Sequence, residues 1–458
     1  HSVTRLCSNL YGVFTSHEAR AERRRNVSAA FVDIPFPNLA PSTRDAQIAQ
    51  RLKSSAFGLD GLDVALWIGN LNLAVHSRKQ ASRVELLNIL IRFVLLHLVN
   101  MPCCGSEQVN QKLLECAQHD NVETLRLTLV EMCGDNTERR SRYLQEASYE
   151  KSGDTLAHVA SRYGSLTVLR FLCEEVKNLA ILESVNFDGK RPLHEAAQSS
   201  QLHVVQFLLD QGCHIDPLKR ADWTPLMLAC TKNDLEVVQT LVSRGACTRL
   251  RNKDGWTPFH IACREGHVDI ISYLLDVCPD AWSSSSKNKR TPLHTAALHG
   301  HLVCVKLLLT RGSDMPDMAD NCGTTPFMDA AQANQVAIMD CLAELHKVDP
   351  TKKDVLGNSS LHLAAQTGAL TAIRSLVKKY GVHISSVNSW GQTPLHLSAK
   401  TSRLFQMGHV DVIQLLIDLG AKCNAMDNKG RKAYDLAKDG NHKSCCELLQ
   451  SHSTREQQ

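Results

Sequence analysis

A chain of 458 residues with 43% hydrophobic, 21% charged and 5% aromatic side chains has enough aliphatic mass to bury a core, so disorder throughout is excluded. Fifty-one Lys and Arg against 47 Asp and Glu leave a formal charge of +4, too small an excess to mark the whole chain as a nucleic-acid or membrane binder. Seventeen cysteines occur singly apart from Cys103-Cys104 and Cys445-Cys446, with no CxxC, which argues against a disulfide framework or zinc ribbon and points to a reduced intracellular, cytoplasmic setting.

Residues 1–107 carry no repeat. They hold Pro35, Pro37 and Pro41 in one loop-like stretch and the run Arg23-Arg24-Arg25, which would direct the chain to the nucleus if it acts as a localisation signal. A poorly ordered extension is expected here, with helical apolar spacing only from Val84 to Val99. The longest apolar stretch, Leu86 to Val99, is interrupted by Asn88, Arg92 and His97, and falls short of the ~20 residues a membrane helix needs.

From about 108 to 450 the chain repeats. Equivalent positions fall at His158, His194, Met227, His260, His294, Met328, His362 and His396, spaced 33 to 36 residues apart. A ninth falls at Asp435, delayed by an insertion of about six residues within Thr401–Met407. Gln111 to Leu129 reads as a degenerate first unit, the unit around Asp435 as a C-terminal cap, and 451–458 as a tail.

Each unit reads as a Gly-containing finger, a first helix opened by Thr-Pro, a turn, and a second helix ending near Leu-Leu-x-x-Gly. In Thr291-Pro292-Leu293-His294, Thr caps the helix, Pro occupies the first turn where no N–H is needed, and His bonds back toward the cap. Ala296-Ala297 keeps the first helix thin, and Val305, Leu307, Leu308 and Leu309 supply apolar mass from the second. No single unit could bury that face alone, so the units must stack.

Conventional catalysis finds little support. There is no phosphate-binding Gly-x-x-x-x-Gly-Lys loop, no Gly-x-Ser-x-Gly elbow and no His-Glu-x-x-His. His294, His299 and His301 have metal-like spacing, but the repeat accounts for His294 and His301 as helix-start and turn residues. Cys116, Cys230, Cys263, Cys304 and Cys341 fall where small buried residues are normal. No enzyme, metal or cofactor is expected.

These units resemble the ankyrin repeat, most plainly in Gly189–Ala197 (GKRPLHEAA) and Gly255–Ala262 (GWTPFHIA). The resemblance implies an all-α ankyrin-repeat solenoid of stacked helix pairs with β-turn fingers, its partner-binding residues lying on the fingers and the exposed ends of the first helices. Those offsets give Lys190, Arg220, Trp223, Lys232, Trp256, Arg264 and Arg290, with Lys253 and Lys287: a basic stripe with two aromatics, interrupted by Asp222, Asp254 and Glu265. It suits an acidic protein groove or, through stacking on Trp223 and Trp256, single-stranded RNA. Later units turn polar at Asn321, Gln332, Asn358 and Gln366.

Lys190–Ala197, Ala221–Cys230 (ADWTPLMLAC), Asn252–Gly266, Val277–Trp282 (VCPDAW), Arg290–Leu302 and Asp320–Gly323 go beyond the general repeat. They are similar to ankyrin proteins that serve alanyl-tRNA synthetase, over about residues 150–450. That similarity implies a monomeric cofactor that binds the synthetase's catalytic domain and accepts misactivated serine on lysine amines. Lys253 matches one acceptor. A second is replaced by Arg220, with Lys219 beside it, and a third by Ser283, with Lys287 four residues later.

Overall fold

A computed structural model describes residues 107–176, 179–311, 316–400 and 409–455. The chain divides into two units, 1–101 and 102–458, and the fold described is that of the second. The expected extension, the Arg23-Arg24-Arg25 run, the helix over Val84–Val99 and the insertion at 401–407 all lie outside the described residues.

The described residues form helices and turns, with isolated bridges in place of strands. The degenerate first unit is a helix pair, α1 (Glu107–Gln118) and α2 (Val122–Cys133). A further helix follows that the apolar pattern does not signal, α3 (Thr137–Glu146). Its sequence is almost wholly polar; Asn136 Oδ1 caps it by accepting from the Arg139 N–H at 2.9 Å, and Tyr143 and Leu144 pin it to the core.

Nine further pairs follow. The first helices are α4 (Leu156–Tyr163), α6 (Pro192–Gln198), α8 (Pro225–Ala229), α10 (Pro258–Glu265), α12 (Pro292–His299), α14 (Pro326–Gln332), α16 (Ser360–Thr367), α18 (Pro394–Ala399) and α20 (Ala433–Asp439). Their partners are α5 (Leu166–Val176), α7 (Leu202–Asp210), α9 (Leu235–Ser243), α11 (Val268–Val277), α13 (Leu302–Arg311), α15 (Val336–Asp340), α17 (Leu370–Lys378), α19 (Val410–Asp418) and α21 (Lys443–Arg455). The last helix runs past 450, into what reads in the sequence as a tail.

First helices pack on first helices along the stack, and their Ala pairs explain why: Ala196-Ala197, Ala296-Ala297 and Ala364-Ala365 are fully buried. The second helices contribute the larger groups, Val305, Leu308 and Leu309 among them, to one continuous apolar cluster from Leu113 to Leu449. Cys116, Cys230, Cys263, Cys304 and Cys341 are buried in it as small apolar side chains. Among the described residues no helix is long and apolar enough to cross a membrane.

Candidate partner-binding site

The fingers set the geometry of the site. Most open with a polar residue whose side chain bonds back into the loop: Asn252 Oδ1 accepts from the Asp254 and Trp256 N–H groups at 3.0 and 2.9 Å. The fifth residue returns the favour, because its carbonyl accepts from the first residue's N–H, as Trp256 does from Asn252 at 3.0 Å. Asp354, Asn388 and Asp427 close their fingers in the same way. The loop is thus a pre-formed turn held by short-range bonds.

Fingers are then joined to one another. The second residue of each donates its N–H to the carbonyl of the third residue of the finger before it. Arg220 donates to Asp188 at 2.9 Å, Lys253 to Ala221 at 3.0 Å, Lys287 to Asp254 at 3.0 Å, Asn321 to Asn288 at 2.9 Å and Val355 to Cys322 at 2.9 Å. Phe187 begins the row by donating to Ser152 at 3.0 Å, and Ser389 and Asn428 continue it. Every second-position side chain in this ladder from Phe187 to Asn428 is exposed.

The two finger positions combined in the sequence-level stripe therefore behave differently. Second-position Arg220, Lys253 and Lys287 stand outward as three consecutive cations. Fifth-position residues fold inward over the repeat body. Lys190 lies against Glu195 at 3.0 Å and Gln198 at 2.7 Å. Arg290 bridges Asp320 at 3.1 Å and the buried Asp329 at 2.7 Å, so its charge is spent inside the solenoid. Burial pushes the Asp329 carboxyl up, to about 7, and the neighbouring Asp320 charge adds to this, together outweighing the Arg290 guanidinium against it.

The two tryptophans also occupy fifth positions and are half-buried, not free stacking faces. Trp223 lies under the Lys219 amine, 5.8 Å from the ring centre. Trp256 carries the Arg264 guanidinium at 5.8 Å and stacks against His260. Lys219, with 15% of its side chain exposed and Asp188 at 3.8 Å, is more enclosed than Lys253 or Lys287. The tryptophan that stands out is Trp390, 48% exposed at a finger tip, which sequence reasoning passed over because it sits among polar neighbours. Lys232 and Arg264 are exposed at the ends of their first helices, as expected, and Asn358 is buried within its finger.

Two of the cationic fingers lack the usual fourth-position glycine. Asp222 (φ 61°) and Lys289 (φ 59°) hold the left-handed conformation that Gly189 and Gly255 adopt elsewhere, and Ala221 (φ 64°) joins them. Lys289 thereby adds an exposed amine beside Lys287.

Below the fingers, the helix-start histidines tie repeats together. In His158, His194, His260, His294, His362 and His396, Nδ1 accepts from the backbone N–H three residues earlier. Nε2–H donates to the fifth-position carbonyl of the following finger, at 2.8 to 3.3 Å. His294 is fully occupied in this way, and His301 Nε2–H donates to the Arg264 carbonyl at 2.7 Å, so both have structural duties.

A stack of capped helix pairs with an outward ladder of variable finger side chains defines a repeat scaffold for protein interaction. The family model described as "Ankyrin repeats (3 copies)" matches at residues 113–220, 216–282, 278–354, 337–427 and 361–457, and the chain belongs to the ankyrin repeat family. It is 35% identical to human protein phosphatase 1 regulatory subunit 27 over 94 residues, a match that takes in 20% of this chain and 59% of that protein. It is similar to the human ASB11 ankyrin repeat domain in crystal form, with 25% identity, a TM-score of 0.43, and coverage of 51% of this chain and 99% of that one.

Proposed function

We propose that this ankyrin scaffold serves alanyl-tRNA synthetase, taking serine that the enzyme has misactivated onto finger lysines before it reaches tRNA. The observation that carries the reading is Lys253: exposed at a second finger position, without an ion-pair partner among the described residues, on backbone fixed by the ladder on both sides. The similarity of residues 190–325 to ankyrin repeat domain-containing protein 16 supplies the partner.

The chemistry needs positioning and little else. The lysine amine attacks the carbonyl carbon of seryl-adenylate; the amide C–N bond forms, the C–O bond to the adenylate phosphate breaks, AMP leaves, and solvent takes the amine proton. Holding the adenylate beside the amine raises its effective concentration by orders of magnitude. Lys287, one finger along and equally exposed, is the next acceptor, and the enclosed Lys219 a weaker one. Arg220 preserves charge but offers no acylable amine. The chain would act as a monomer in the cytoplasm, and also in the nucleus if Arg23-Arg24-Arg25 is a signal.

The test is incubation with alanyl-tRNA synthetase, ATP and serine, followed by mass spectrometry. Seryl amide is expected mainly on Lys253. Lys253→Arg should keep synthetase binding and lower transfer, while Lys253→Glu should weaken both. Equal labelling of lysines scattered over the solenoid would mean adenylate leaking into solution and would end the assignment. The alternative is a generic adaptor for an acidic protein, favoured by six exposed cations (Arg220, Lys232, Lys253, Arg264, Lys287 and Lys289) against Asp188, Asp222, Asp254 and Glu265. Weak RNA contact is the third outcome; a pull-down with and without nuclease separates it, since RNA binding would fall steeply with salt.

A further inference from the structure

We infer that the finger ladder receives an extended segment of a partner protein whose centre is acidic and whose two ends are apolar. In ladder order the first six outward second positions, before the polar Ser389 and Asn428, read Phe187, Arg220, Lys253, Lys287, Asn321 and Val355: one large apolar group, three cations, one amide and another apolar group. The two apolar ends are among the most exposed apolar side chains described, Phe187 at 68% and Val355 at 67%. Neither stands alone. Val185, two residues before Phe187, and Leu218, two residues before Arg220 of the next finger, are exposed too, as are Leu356 next to Val355 and Trp390 in the finger that follows.

Scattered surface apolar residues need no explanation, but exposed ones gathered in the same fingers on both sides of a charged row do. Because each second-position N–H is bonded to the preceding finger, the six side chains are held in one line with fixed order. Five steps at the ~9 Å spacing of packed helices make a row of roughly 45 Å, which an extended chain at ~3.4 Å per residue spans in about 13 residues. A helix would need about 30 residues for the same length. Asp188 and Asp254 lie beside the cations at third positions; Asp188 approaches Arg220 at 3.7 Å, and Lys253 and Lys287 form the centre of the row, without an ion-pair partner among the described residues. An acidic core meets that centre, and apolar side chains at each end cover Phe187 and Val355. The fingers at this centre also hold Asp222 and Lys289 at positive φ, the strained conformation that binding sites tolerate in return for placing a side chain.

This inference rests on the finger row being the partner-binding face and not on which protein the partner is. The test uses the full chain and a fluorescein-labelled synthetic 14-residue peptide with two Leu at each end and Asp and Glu between, read by anisotropy. Replacing the Leu pairs by Ser should weaken binding at least tenfold, as should replacing the acidic centre by Gln. Val355→Ser and Phe187→Ser should each remove most of the advantage of the Leu ends, with unchanged thermal midpoints, while the pair Lys253→Glu and Lys287→Glu should remove that of the acidic centre. If the Ser-ended peptide binds as tightly as the Leu-ended one, if both apolar variants bind as the unaltered chain does, or if a 15-nucleotide oligouridine displaces the peptide at equal concentration, the inference falls. No synthetase is present, so its failure leaves the seryl-transfer test standing, and loss of seryl transfer leaves the peptide result standing.

Discussion

A neutral imidazole at the start of a first helix accepts at Nδ1 and donates from Nε2–H, and a second proton would destroy the acceptor. Burial holds His194, His260, His294 and His362 down at about 4 and lowers His158 and His396 as well. An unfolded histidine titrates near 6.5, so below that pH the unfolded chain binds more protons than the folded one. Stability is therefore full above about pH 6.5 and falls until about pH 4, by at most ~3.5 kcal/mol for one such histidine at ~1.4 kcal/mol per unit. Thermal melts should show His294→Met, which copies the natural Met227 and Met328, losing stability at pH 7.5 but less of it between pH 7.5 and 5 than the unaltered chain. Arg290 makes the opposite test. With its partner removed, Asp329 must either stay charged and unpaired in the core or take up a proton against the solution pH, so Arg290→Met should cost about 3 kcal/mol at pH 8. At pH 5, below the raised Asp329 titration near 7, the carboxyl is protonated and the cost should shrink; an equal cost at both pH values would refute this account.

At the scale of the element, the fingers show what a repeat pattern transmits and what it hides. The Thr-Pro-Leu-His start, the thin Ala-Ala face and the period are visible in the sequence because each recurs and each has a local cause. The division of finger residues into outward second and inward fifth positions was not visible, since Lys253 and Arg290 look alike until the ladder sets their directions. The α3 helix escaped for a related reason: two buried side chains in ten residues give no period. At Gly255 the fourth-position glycine has a steric cause. A Cβ on Gly255 would lie 2.6 Å from the Lys287 nitrogen, so Gly255→Ala must push the next finger away and should cost at least ~2 kcal/mol, counting the left-handed strain. Conversely, Lys289→Gly and Asp222→Gly relieve strain and should each raise stability by about 1 kcal/mol in denaturant melts, with Lys289→Gly weakening acidic partners.

For the molecule as a whole, stability is a sum over units and the joints between them. Removing one central unit, such as α12 with α13, breaks two joints and should lower stability more than trimming residues 1–100. Thiol chemistry gives a direct readout. Among the described residues Cys247 and Cys322 are exposed, while Cys230, Cys263 and Cys304 lie in the central core, where burial pushes Cys304 up to about 11 and raises the other two thiols as well. A thiol reagent at pH 8 should label Cys247 and Cys322 at once and reach the central three only on unfolding. Early labelling of Cys263 would show that the central stack opens without the rest.

Among the described residues six joints carry a histidine ring between one repeat and the next finger, and the joints at Met227 and Met328 do not, since methionine has no ring nitrogen to titrate. Acid therefore acts on the solenoid as an uneven solvent, slackening six seams at once and leaving two untouched. Near pH 5 the chain should come apart in blocks, with α8–α11 and α14–α17 each persisting as a coupled double repeat; amide exchange protection should fall at the histidine seams first.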